Sequence, residues 1–211
     1  VPAVEVKNGQ PDETINITYT ANEQSGIISY QDEAGKEIST TPLSGKTGET
    51  VIVNPEIPAG WELVPGQEIP KTVTATAEGI PTVVIKIEHG ITNVDHNNPV
   101  PDGAKTVTGE VINGAHASDL NQTITRTINV TNPDGTKSTE VQTAKIYRDA
   151  SYDNVTGEVT YEEWSTGSWK EFSPAEIKGY SASEKVVPAV EVKNGQPDET
   201  INITYTANEQ S

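Results

Sequence analysis

The chain has 211 residues, no Cys, no Met, and 31 acidic against 14 basic side chains, for a formal net charge of −17. A surface this acidic repels nucleic-acid phosphate and acidic membrane headgroups, and without cysteine neither disulfide staples nor thiol catalysis is available. Only 33% of the residues are hydrophobic and a single one is Phe, so any core is modest and built mainly from Val and Ile.

The first 25 residues, VPAVEVKNGQPDETINITYTANEQS, recur without a difference at Val187–Ser211, 186 positions later. Identical segments one period apart are what a window slightly longer than one repeat shows when cut from a tandem array. A period of 186 exceeds the range of solenoid repeats. Each repeat is therefore expected to hold one or two globular domains, with residues 1–25 as the tail of a preceding repeat.

From Gly26 onward the pattern is strand after strand. GIISYQ alternates apolar with polar residues, and the turn signal DEAGKE separates it from Glu37–Ser39. The stretch NPEIPAGWEL is too rich in Pro for a helix. TVVIKIEH reads as the next strand, before HGITNVDHNNPVPDG at 89–103, where Pro, Gly, Asn and Asp disfavour regular structure. That stretch is the expected boundary between a small domain, 26–90, and a larger one, 91–211. Beyond it QTITRTINVT and TEVQTAKIYR flank NPDGTK, an Asp-Gly hairpin signal. GEVTYEEW follows a turn at YDNVTG, SPAEIKGY has the pattern for a turn or two of helix, and INITYT closes the series. A mainly β chain of low helix content is expected, and no apolar run reaches the length of a membrane-spanning helix.

Several kinds of chemistry are excluded by what the motifs lack. Gly45-Lys46-Thr47 matches the end of a phosphate-binding loop, but Thr40 stands where the pattern needs its first Gly. Neither Gly-x-Ser-x-Gly nor His-Glu-x-x-His occurs. His89, His96 and His116 fall in loops or at strand ends, and no catalytic constellation can be assembled, so an enzyme is not expected. Hard oxygen ligands gather at Asp95, Asn97, Asn98 and Asp102, and again at Asp149, Asp153 and Asn154. They could hold Ca²⁺, although neither spacing is that of a calcium loop and such side chains ordinarily bond their own backbone. No other cofactor is indicated.

The stretch YEEWSTGSWKEF gathers Tyr161, Trp164, Trp169 and Phe172 in a chain otherwise poor in aromatics. Aromatic rings stack on sugar faces, so Tyr161, Trp164 and Trp169 are the candidate ligand-binding residues. The competing reading makes the same indoles core fillers. Trp61, after Pro-Ala-Gly, reads as a core or domain-contact residue.

Residues 26–64, GIISYQDEAGKEISTTPLSGKTGETVIVNPEIPAGWELV, resemble the mucin-binding repeat of lactobacillus surface adhesins. The resemblance rests on Tyr30, Asp32 and Gly35 of the hairpin, on Leu43–Glu49, and on PAGWEL, where Trp61 replaces the family's Tyr. TITRTINVTNPDG, YDNVTGEVTYEEW and IKGYSA are similar to the larger module of mucus-binding protein repeats. This resemblance implies two tandem β-grasp, ubiquitin-like domains in an elongated repeat of an extracellular, cell-wall-anchored protein. It implies host mucin glycoproteins as partners, bound weakly and multivalently. An immunoglobulin bound along an exposed strand edge, or a stalk without its own ligand, are the alternatives.

Overall fold

The computed structural model describes residues 1–209, which divide into two units. The first comprises Val1–Ile57 and Leu63–Ile87; the second comprises Pro58–Glu62 and the chain from Glu88 onward. No helix is long and apolar enough to cross a membrane among the described residues.

The first unit carries β1 (Glu23–Gln31), β2 (Glu37–Lys46), β3 (Thr50–Ile52), β5 (Thr72–Thr74) and most of β6 (Val83–His89), while β4 (Trp61–Leu63) runs across the division. Strands β1 and β2 form an antiparallel hairpin, and β1 also pairs in parallel with β6, Tyr30 opposite Ile85. The sheet order is β2-β1-β6-β4, with β3 and β5 as a separate two-stranded ribbon. Alternation in β6 buries Val83, Ile85 and Ile87, while β1 buries Ile28 and Tyr30. The Tyr30 hydroxyl accepts from the Glu56 backbone N–H at 2.7 Å and bonds the Thr41 hydroxyl at 2.9 Å, so its burial leaves no polar atom unpaired. Gly26 is required by close approach: a Cβ there would stand 2.5 Å from the Ile80 carbonyl oxygen.

The second unit carries β7 (Ile91–Val94), α1 (Ala117–Leu120), β8 (Asn121–Thr131), β9 (Lys137–Tyr147) and β10 (Ala150–Asp153). It continues with β11 (Val159–Tyr161), β12 (Gly167–Trp169), β13 (Tyr180–Ala182), β14 (Val190–Val192) and β15 (Glu199–Ala207). Its main sheet has the order β13-β15-β8-β9, again a long hairpin whose first strand pairs in parallel with the last. The two sheets thus repeat one plan. The one helix among the described residues is the four-residue α1. Strands β7, β10 and β11 form a second sheet, and β12 pairs with β14. The mainly β expectation is borne out. The helical turns expected at SPAEIKGY do not form; that stretch runs irregularly to a turn before Tyr180.

Strict alternation along β8 buries Ile124, Arg126, Ile128 and Val130 on one face. Ile124 joins Ala144, Ile146, Trp169 and Val192 in one core cluster, and Ile128 and Val130 join Val187 and Ile203 in another. Arg126 lies between them, 1% exposed. Its guanidinium donates to Gln142 Oε1 at 2.9 Å, Lys170 O at 2.6 Å and Pro188 O at 2.9 Å, and lies over Trp169. A buried cation is tolerated because its N–H groups find acceptors, and it ties the Pro188 backbone to the sheet.

Candidate ligand-binding groove

The structure separates the three aromatic residues singled out from the sequence. Trp169 is 1% exposed, and its indole N–H donates to the Ile124 carbonyl at 3.2 Å. It is a core residue, and the expectation that it forms a stacking platform is corrected. A lone Phe among 211 residues leaves the large side chain of Trp to fill the centre of this small core. Tyr161 and Trp164 do come together, both against Arg148, whose guanidinium carbon lies 3.4 Å and 4.6 Å from their ring centroids. Arg148 is itself fixed by donating to Asp119 O at 3.0 Å, and the Tyr161 hydroxyl donates to Gly114 O at 2.7 Å. One face of each ring is therefore covered by an internal cation. Trp61 meets His89 edge-on, with centroids 4.4 Å apart.

The acidic candidates split in the same way. Asp95 and Asp149 approach one another around His96, whereas Asp153 pairs with His89 at 2.6 Å and Asp102 lies 3.5 Å from His116. Asp149 Oδ1 accepts from both the ring Nδ1 and the backbone N–H of His96, at 2.7 and 2.8 Å. These two bonds hold the Asp149 carboxyl below its ordinary value. For Asp153, burial raises the carboxyl, but the bond to His89 and the N–H groups of Thr156 and Val155 outweigh it and the net direction is down. An ionised Asp149 can only accept, so this hydrogen bond places the ring proton of His96 on Nδ1. The Asp95 carboxylate is engaged at 2.7 Å by the Asn97 backbone N–H. The cluster works as a hydrogen-bonded brace joining the Asp95–Asn98 turn to the start of β10.

A different place has the shape of a binding site. Residues 173–186 loop past the end of β15 and, with Tyr205 and Asn208, enclose a groove of about 710 Å³. Its floor is fixed by backbone geometry: β13 pairs with β15, Tyr180 opposite Ala207, and Asn208 N–H donates to Gly179 O at 2.8 Å. The Tyr205 hydroxyl donates to Ala175 O at 2.5 Å, which holds the loop against the sheet. Ser181 Oγ donates to Asn208 Oδ1 at 2.6 Å, leaving the amide N–H₂ of Asn208 as a further donor. Tyr180 remains 39% exposed, and Lys178 and Lys185 stand at the walls with Glu176. Two ammonium groups against one carboxylate give this groove a local positive balance in a chain of net charge −17. Sequence reasoning passed over it because Lys178 and Tyr205 are far apart in the chain and meet only through β13–β15 pairing. The one local signal was IKGY, with Lys and Tyr flanking a turn glycine.

The groove lies within residues 115–209, which match the Muc B2-like domain family. Among solved structures, the crystal structure of Mub-RV is similar over 88% of this chain and 100% of that one, at 19% identity and a TM-score of 0.55. This likeness shows the fold. The type 2 repeat of the mucus binding protein MUB from Lactobacillus reuteri is similar over 88% and 100% respectively, at 25% identity and a TM-score of 0.43. The mucin-binding domain of Spr1345 from Streptococcus pneumoniae shares 30% identity over 43% of this chain and 94% of its own, with a TM-score of 0.39. A search of curated proteins finds no match. Over residues 115–209 the resemblance read from the sequence is borne out by the family match; residues 26–64 lie outside it.

Proposed function

We propose, from the match of residues 115–209 to the Muc B2-like domain family, that this chain is a bacterial surface-adhesin module that binds mucin glycans at the Tyr180–Tyr205 groove. The carrying observation is the groove's lining: an exposed Tyr ring, hydroxyl and amide groups, and two lysines at its walls. A ring stacks on the apolar face of a sugar, while Ser181 and Asn208 suit its hydroxyl groups. The lysines answer the difficulty posed by the net charge. Sialylated and sulfated glycans are repelled at long range by the whole protein, so contact depends on short-range pairing at one locally positive place. Affinity per module is then weak, and tandem modules raise it through effective concentration. A surface-exposed, extracellular setting follows from this reading.

The test is binding of the chain to immobilised mucin before and after sialidase treatment. Tyr180→Ala and the double variant Lys178→Glu/Lys185→Glu are each expected to weaken binding several-fold with unchanged melting temperature. Sialidase should weaken the wild type but have little further effect on the lysine variant. Undiminished binding by both variants would place the mucin site elsewhere, and the Tyr161–Trp164 face would be next to test.

A further inference from the structure

The repeated segment has two fates in one molecule. In its second copy, Val187, Val192 and Ile203 are 2%, 0% and 0% exposed. Their counterparts Val1, Val6 and Ile17 are 80%, 81% and 64% exposed, and residues 1–22 form no strand. The backbone pairings that seat the second copy are made to elements outside it. Val187 exchanges backbone hydrogen bonds with Phe172 at 2.8 and 2.9 Å. β14 pairs with β12, from Gly167 opposite Val192 to Trp169 opposite Val190. Arg126 donates to Pro188 O, and the Thr125 backbone N–H donates to Asp198 Oδ1 at 2.7 Å. β15 then runs in parallel along β8 from Glu199 to Thr204. The first copy offers the same valines, the same proline carbonyl, the same aspartate (Asp12) and the same strand, residue for residue.

We propose that residues 1–20 are a donor segment that fits the β8–β12 slot of a second copy of this chain. The slot cannot distinguish the two copies by sequence, so only tethering decides which occupies it. The second copy is held beside the slot by its own chain, at an effective concentration that a separate molecule does not match in dilute solution. The wild-type slot is therefore filled from within. Where the second copy is disabled, the first copy of a neighbouring molecule takes its place. That neighbour's own slot is filled by a third molecule or, where two chains exchange segments, by the first, because donor and acceptor are different surfaces and the contact is head-to-tail.

Three full-length variants test this: Ile203→Asp, which puts a charge at a fully buried position of the slot; Ile17→Asp, which spoils only the donor; and the two combined. Light scattering across a concentration series and thermal melts are the readouts. Ile203→Asp is expected to form oligomers whose mean mass rises with concentration and to keep the melting transition of the second unit. Ile17→Asp/Ile203→Asp should lose both, and Ile17→Asp alone should match the wild type. If Ile203→Asp melts like the combined variant, or stays at the mass of one chain at every concentration, the proposal is overturned.

Discussion

Residues 1–23 and 187–209 are one sequence in two structures, and the line between what they share and what they do not is sharp. Both form the same turn. Gln10 N–H donates to Lys7 O at 3.1 Å and Gln196 N–H to Lys193 O at 3.2 Å, while Gly9 and Gly195 sit at φ +88° and +85°. The Gln side chain even caps the same backbone group in each, Lys7 N–H in one and Lys193 N–H in the other. Asn-Gly in KNGQ encodes that turn through local backbone preference alone. The flanking strands behave otherwise: VEV and ETINITYTA are strands only where β12, β13 and β8 lie alongside. Strand propensity in Val, Ile, Thr and Tyr is thus permission, and pairing is the cause. Glu23–Ser25 enters β1 and pairs with Ser44–Lys46, a partner that belongs to the first unit.

The comparison is broken most forcefully from the side of the cradle. Trp169→Ala removes the largest buried side chain behind β14 and is expected to cost about 3–5 kcal/mol, read as a loss of urea midpoint in the second unit. Next comes the matched pair Ile203→Ala and Ile17→Ala. The same substitution at the same sequence position should cost about 2–5 kcal/mol in the second copy and stay within about 0.5 kcal/mol in the first. Equal effects would mean that both copies are packed. Chemical denaturation of the two variants side by side decides it.

This asymmetry also explains what could be read in advance. The two long hairpins were legible because their signals are local. Asp32 with Gly35, and Asn132 with Gly135, build the same turn, with Gly35 and Gly135 at φ +83° and +84°. Alternation along QTITRTINVT marked the buried face of β8, though not that Arg126 would lie on it. The three-residue strands β3, β4, β5, β11, β12, β13 and β14 are too short to show a period by themselves. Trp164 and Trp169 look alike in sequence, five positions apart. They differ in that Trp169 falls on β12 facing Ile124 and Ala144, whereas Trp164 lies at the margin of that cluster beside Arg148. The groove was hidden for the same reason: its Tyr180 and Tyr205 belong to different strands, and its lysines come from a loop whose path depends on both.

The gentlest probe uses the one feature the copies have in common. Gly9 and Gly195 both have positive φ, and a Cβ at either would meet nothing within 4 Å, so alanine would strain the backbone without a clash. That strain costs roughly 1–2 kcal/mol for an L-residue. At Gly195 the turn joins β14 to β15, both seated, so the chain must accept the strain or unseat a strand. Gly195→Ala should therefore lower the melting temperature of the second unit by about 2–4 °C per kcal/mol. At Gly9 the turn supports no buried strand, and the segment can leave the strained region without losing any packing. Gly9→Ala should melt as the wild type does. In the Ile203→Asp background, where the first copy is expected to be the one in the slot, the sensitivity should move to Gly9. A calorimetric scan of Gly9→Ala with and without Ile203→Asp then reports which copy the sheet is using.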